Sequence, residues 1–206
     1  MTRRDNLFAT LHNNPKAKFI TRAVQFGSEP LFDHVLPARD LADQVEAAKR
    51  NLSSLGIPVT VSELAYGYQS NEDFQLVLDA IDFVDLHMLP FFSQTATTAA
   101  NCWGFVRDDL GWINDHVGGK KVLLSENGWP SKESDSVHSP SPSAVASVEQ
   151  EQSYFDLLDS KCEELKGNSG GGVAWFAHLY SEQQGVGYGI LDNGNLKFPF
   201  SPRTMC

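Results

Sequence analysis

Hydrophobic residues recur along the chain with two periods. Over residues 38–55 (ARDLADQVEAAKRNLSSL) the apolar positions return at helical spacing, and the run stops at Gly56, which suits the position just past a helix end. The next residues, 57–64 (IPVTVSEL), are rich in β-branched side chains and predict a strand. The same contrast predicts strands over 20–27, 83–89, 121–125 and 172–179. It predicts helices over 71–81, 96–116 and 148–165. Asn71 and the acidic residues after it suit a helix start, and Gly118-Gly119 suits a helix stop. Residues 131–147 are rich in Ser and Pro and read as an exposed surface loop that ends in a helix cap.

Strands and helices alternate, which implies parallel strands joined by right-handed helical crossovers. A doubly wound α/β sheet and a (β/α)8 barrel both satisfy this order. A nucleotide-binding sheet would carry a Gly-rich phosphate loop after its first strand. The sequence there is Gly27-Ser28-Glu29-Pro30, with no such motif. In these folds chemistry sits at the carboxyl ends of the strands. Two of those ends carry a glutamate: Phe26-Gly27-Ser28-Glu29-Pro30 and Ser125-Glu126-Asn127-Gly128-Trp129-Pro130. A pair of carboxyl groups is what glycosidic bond cleavage needs, one protonated to serve the leaving oxygen and one ionised to attack or to activate water. Trp129 beside Glu126 offers an apolar wall or a sugar platform.

Composition narrows the field. Charged residues make up 20% of the chain and apolar residues 41%, enough for a sizeable core. The net charge of −10 makes nucleic acid and anionic membrane poor partners, since phosphate binding needs clustered Lys and Arg. No apolar run is long enough for a membrane span, and the first residues lack the apolar core of a secretory signal. Asn51-Leu-Ser forms a glycosylation sequon. The cysteines, Cys102, Cys162 and Cys206, allow one disulfide whose pairing the sequence leaves open. They show no metal-type spacing, and neither metal nor organic cofactor is expected.

The run Ser125-Glu126-Asn127-Gly128-Trp129-Pro130-Ser131 resembles the nucleophile signature of glycoside hydrolase family 17. Gly27-Ser28-Glu29-Pro30-Leu31-Phe32 resembles that family's acid/base segment, particularly in fungal members. Residues 88–93 (MLPFFS) are similar to its strand-six ending, and 187–192 (GYGILD) to its closing segment after strand eight. The resemblance runs from about Phe19 to Pro202. It implies a (β/α)8 TIM barrel with the acid/base on strand four and the nucleophile on strand seven. Counting from Glu29 as strand four puts Val61 on strand five, Leu86 on six, Leu123 on seven and Ala174 on eight, so Glu126 ends strand seven as required. Two features depart from the pattern. Ser28 stands where many members carry Asn, and strands one to three have no counterpart before Glu29. The expected fold is therefore an incomplete α/β barrel of one domain over residues 1–206, from a truncated product whose open edges favour self-association.

The resemblance implies a retaining hydrolase or transglycosylase acting on β-1,3-glucan, a cell-wall polysaccharide, in an extracellular or wall location. Glu126 would be the nucleophile and Glu29 the acid/base, with carboxyl groups roughly 5–5.5 Å apart. Ser28, Glu63, Tyr66, Phe91, Trp129 and Glu182 are the candidate sugar contacts. Tyr68, Phe92, Asn127 and His178 lie close to them in sequence, and His87 reads as a packed histidine. One alternative is an inactive truncated barrel that at most binds carbohydrate. A second is a doubly wound protein with an unrelated ligand.

Overall fold

A computed structural model describes residues 2–206. The chain divides into two units, the first ending at Asp85 and the second beginning at Leu86.

The first unit opens with α1 (Arg3–Asn13), where Thr2 and Asp5 form a reciprocal capping box. Asn14 ends α1 and starts α2 (Pro15–Ile20) by accepting from the amides of Lys16 and Ala17. Helix therefore claims residue 20, and the strand expected from there begins later, as β1 (Val24–Ser28). The Asn14-Pro15 start signal outweighs the strand preference of the residues it precedes. Helix α3 (Ala38–Leu52) buries Leu41, Ala42, Val45, Ala48 and Leu52, one stripe at helical spacing. It runs out through a 3₁₀ turn to Gly56 at φ 66°, a left-handed conformation that glycine adopts without strain. Strand β2 (Val59–Leu64) is buried on both faces, as a central parallel strand should be, and pairs parallel with β1 from Val24↔Val59.

Two short helices follow, α4 (Ala65–Gln69) and α5 (Phe74–Ala80). The expected helix over 71–81 starts only at Phe74, because Asn71 is occupied elsewhere. Its amide side chain donates 2.7 Å to Gly67 O and closes α4. Strand β3 (Val84–Met88), buried throughout, carries the chain into the second unit.

In the second unit the predicted helix over 96–116 is interrupted. A 3₁₀ turn at Ala99–Asn101 precedes α6 (Trp103–His116). Strand β4 (Val122–Asn127) ends in the Glu126 motif. The Ser/Pro-rich segment after it is not wholly exposed as expected. Ser139 Oγ donates 2.7 Å to Phe91 O and Ser141 Oγ 2.6 Å to Ala96 O, and both serines are buried. Ser147 then caps α7 (Val148–Ser160), accepting from Gln150 N at 3.2 Å. The predicted helix over 148–165 breaks at Lys161 and resumes as α8 (Cys162–Lys166). Strand β5 (Val173–Trp175) pairs parallel with β4 and is shorter than the predicted 172–179. An unforeseen antiparallel ribbon, β6 (Leu191–Asp192) and β7 (Asn195–Leu196), turns through Asn193-Gly194, both at positive φ.

The C-terminal segment lies on α7. Phe198 and Phe200 pack on Phe155, Arg203 N donates to the Asp159 carboxylate, and Cys206 is joined to Cys162. Cys102 is free and buried. Among the described residues no helix is long and apolar enough to cross a membrane.

Candidate active site

Glu29 follows the last residue of β1 on a backbone that turns sharply. Gly27 lies at φ 65°, the β1–β2 register shifts between Phe26 and Ser28, and Glu29 itself sits at φ 54°. A left-handed conformation at a residue bearing a Cβ costs on the order of 1 kcal/mol or more and persists only where neighbours impose it. Here Glu29 N donates to Ser62 O at 2.9 Å, and Glu29 O accepts from Asp33 N at 2.8 Å. The decisive neighbour is Glu63. Its carboxylate accepts from Leu31 N at 2.7 Å, Phe32 N at 3.3 Å and Leu64 N at 2.9 Å, gathering the turn after Glu29 around one buried acid. Burial raises the Glu63 carboxyl above its ordinary value despite those three amides. Gly67 makes the room. A Cβ there would fall on the Glu63 carboxylate.

Glu63 was expected to line a sugar subsite. It is fully buried with its oxygens committed to backbone amides, so it supports the Glu29 turn instead. Ser28 is exposed at the end of β1, and Tyr66 is 61% exposed. Tyr66 meets the half-exposed ring of Phe32 edge-on at 6.2 Å. Phe32 is thus a second aromatic surface on the Glu29 turn, unnamed in the sequence reading although it lies inside the motif. Tyr68 was also a candidate sugar contact, but its ring is fully buried, within the electrostatic reach of Glu63 and Asp85.

In the second unit Glu126 is the next-to-last residue of β4, and its side chain is 30% exposed. The buried His87 ring places Nε2 3.4 Å from its carboxylate. Residues 127–130 are buried, and hydrogen bonds hold the segment at Asn127, Gly128, Trp129 and Ser131. Asn127 Oδ1 accepts from Tyr154 OH at 2.6 Å, and Asn127 Nδ2 donates to Phe176 O at 3.2 Å. Gly128 N donates to Met88 O at 3.2 Å. Trp129 Nε1 donates to Val145 O at 2.9 Å. Ser131 N donates to Gly187 O at 2.7 Å.

This corrects three expectations. Trp129 is not an exposed sugar platform: its ring is fully buried against Phe91 at 5.3 Å, with its one donor used. Phe91 is fully buried for the same reason, while Phe92 keeps a partly exposed ring. Glu182 does not offer its carboxylate to solvent. It is 7% exposed and engages Lys197 at 2.6 Å, Lys132 at 3.1 Å and Gly187 N at 2.9 Å. Burial alone would raise this carboxyl, but those three donors outweigh it and hold it down at about 2. His178 packs its ring on Tyr188 at 5.2 Å. Tyr154 and Lys197 escaped the sequence reading, and Glu151, expected on a solvated face of its helix, is instead 1% exposed. Helical periodicity marks Tyr154 only as core, and nothing near Lys197 in sequence points to its partners.

Each unit therefore holds a partly exposed glutamate at the carboxyl end of a parallel strand, steadied by buried polar groups. On barrel-type scaffolds, strand-end carboxyl groups are where glycosidic chemistry is placed. The sequence matches the BtgE/BtgC glycoside hydrolase domain over residues 2–184, and the chain belongs to that family.

Among solved structures, the chain is similar to a glycoside hydrolase family 17 β-1,3-glucanosyltransferase from Rhizomucor miehei. The TM-score is 0.72 at 22% identity, over 96% of this chain and 71% of that one. An active-site mutant of the Rhizomucor miehei β-1,3-glucanosyltransferase in complex with laminaritriose gives a TM-score of 0.71 at 21% identity, with the same coverage. An endo-laminarinase from Formosa gives 0.56 at 15% identity, over 91% of this chain and 58% of that one. These likenesses show the fold, an α/β chain of TIM-barrel type. No curated protein matches the sequence.

Proposed function

We propose that this chain is a retaining glycosidase or transglycosylase for β-1,3-glucan, with Glu126 as nucleophile and Glu29 as acid/base. The observation that carries the reading is the setting of Glu126. It is the partly exposed carboxylate at the head of a segment, 127–130, that is otherwise buried. The similar solved structures act on, or are bound to, this class of glucan by their descriptions, which supports the choice of substrate.

In the first step a Glu126 oxygen bonds to the anomeric carbon while the glycosidic C–O bond breaks. Glu29 delivers its proton to the departing oxygen. In the second step Glu29 takes a proton from water, or from the hydroxyl of an acceptor sugar. That oxygen bonds to the anomeric carbon and releases Glu126. Tyr66 and Phe32 offer aromatic faces to the sugar, and Ser28 a hydroxyl. The Cys162–Cys206 disulfide supports an oxidising, extracellular or cell-wall setting.

Sugar release from a soluble β-1,3-glucan by the wild-type chain and by Glu126→Gln tests the proposal. Wild type is expected to turn over, and the variant to lose more than about a thousandfold in kcat. Activity surviving in Glu126→Gln removes the nucleophile assignment. A first-formed product of inverted configuration removes the retaining mechanism.

A further inference from the structure

Lys197, the residue after β7, ends in a buried cluster. Its Nζ lies 2.6 Å from Glu151 Oε2 on α7, 2.6 Å from Glu182 Oε1 and 2.8 Å from Ser131 Oγ. The Lys197, Glu151 and Glu182 side chains are 8%, 1% and 7% exposed. Lys132 and the Gly187 amide complete the Glu182 carboxylate from the other side. Four segments distant in sequence thus meet on one ammonium.

Such a cluster is a poor device for stability alone. Taking these charges out of water costs several kcal/mol per ion, and apolar groups of similar volume often serve as well. Its placement suggests another use. Ser131 is held twice over, by Lys197 and by Gly187 O, which accepts from both its amide and its hydroxyl. Between Ser131 and Glu126 lie only Asn127, Gly128, Trp129 and Pro130, all buried and bonded or packed. A shift of Ser131 has no slack to absorb it before Glu126. Gly187, at φ 90° with a Cβ position only 2.6 Å from Lys132 O, leaves the return segment equally little freedom.

We propose that Lys197 is a positioning residue for Glu126, fixing Ser131 between Glu151 and Glu182 and thereby setting where the Glu126 carboxylate stands. The inference rests on the proposed role of Glu126 as nucleophile. It predicts that loosening the cluster slows the chemical steps without weakening substrate binding, because a misplacement of about 1 Å is enough to cost about a hundredfold in rate.

The test uses the full chain as wild type, as the charge-balanced double variant Glu151→Gln with Lys197→Met, and as Ser131→Ala. Each is assayed for kcat and KM on a soluble β-1,3-glucan and for amide hydrogen exchange. The double variant is expected to lose roughly 10–100-fold in kcat with KM within about threefold. Its Gly128 and Ser131 amides should exchange faster, and those of Val122 and Leu124 should not. Ser131→Ala, which removes only the hydroxyl contacts, should show the same pattern at smaller amplitude and keeps the test alive if the double variant does not fold. Unchanged kcat in a folded variant overturns the proposal, as does a uniform rise in exchange with kcat and KM both altered. If the wild-type chain releases no sugar, the proposed function is what fails. Exchange at Gly128 and Ser131 then decides the clamp by itself, and no local acceleration overturns it.

Discussion

Trp129 separates two accounts of the loop that follows Glu126, the proposed nucleophile. A sugar platform must present its ring to solvent, whereas this indole is fully buried, packed on Phe91 and bonded to Val145 O at 2.9 Å. Trp129→Phe keeps most of the apolar volume but removes the donor to Val145 O, which belongs to an exposed residue and can turn to water. That loss is worth about 0.5–1.5 kcal/mol. Trp129→Ala also opens a cavity under the loop and should cost about 3–5 kcal/mol. For a chain of this length each kcal/mol lowers the unfolding temperature by roughly 2–4 °C, so the Phe variant should fall by roughly 1–6 °C. Thermal unfolding, followed beside kcat and KM on a soluble β-1,3-glucan, reads both accounts at once. Burial predicts a lowered unfolding temperature and a lowered kcat, with KM nearly unchanged. A Phe variant with wild-type stability and a clearly raised KM would refute the reasoning, because only an exposed, sugar-contacting ring gives that combination.

Two further outcomes follow from charge and chain closure. Burial raises Glu151 to about 7 and Asp109 to about 6, and raises Glu63 as well, so on unfolding these groups release protons they held in the native state. Their contribution is full below the unfolded carboxylate range and is lost as pH rises through the folded values. The unfolding free energy should therefore decline from about pH 5 to pH 8, by up to about 3 kcal/mol from Glu151, lowering the unfolding midpoint with it, and less steeply in Glu151→Gln. Glu182 works in the opposite sense, since its stabilising charge is lost only as pH falls toward 2. A midpoint that is flat or rising between pH 5 and pH 8 contradicts the burial of these acids. The Cys162–Cys206 link spans 44 residues, and closing a loop of that length is worth about 4 kcal/mol in the chain-entropy account. Cys206→Ser, or reduction of the wild type, should lower the unfolding temperature by roughly 8–16 °C, and an unchanged temperature would show that the bond does not constrain the chain.

The legible parts of the fold were those where local pattern and burial agree. The α3 stripe of Leu41, Ala42, Val45 and Leu52, and the β-branched run of β2, each point to one structure. The errors cluster where a polar side chain is claimed by a distant backbone group. Asn71 looked like a helix start and instead closes α4 through Gly67 O. Residues 131–147 looked like open loop, yet Ser139 and Ser141 are drawn in by the carbonyls of Phe91 and Ala96, more than forty residues away in sequence. Helix α2 was missed for the opposite reason: Asn14-Pro15 is a clear start signal, but the following PKAKFI segment is too short to show periodicity.

The strand-end positions of Glu29 and Glu126 could be read from the sequence because strand ends follow from periodicity. Their supports could not, because support is a matter of what the buried side of each turn requires. Glu29 occupies a left-handed backbone that would relax without an acceptor for the amides of Leu31 and Phe32, and Glu63 supplies it. The loop after Glu126 would shift without a donor at Ser131, and Lys197 supplies it from 66 residues away. In both places a carboxylate that resembled a sugar ligand in sequence, Glu63 or Glu182, is withdrawn from solvent and committed to holding a loop. Neither buried acid could trade its place for a sugar contact without releasing the backbone of the loop it holds. Among the residues singled out from the sequence motifs, those whose polar atoms or ring faces remain at least partly exposed are Ser28, Glu29, Phe32 and Tyr66 in the first unit, and Phe92 and Glu126 in the second.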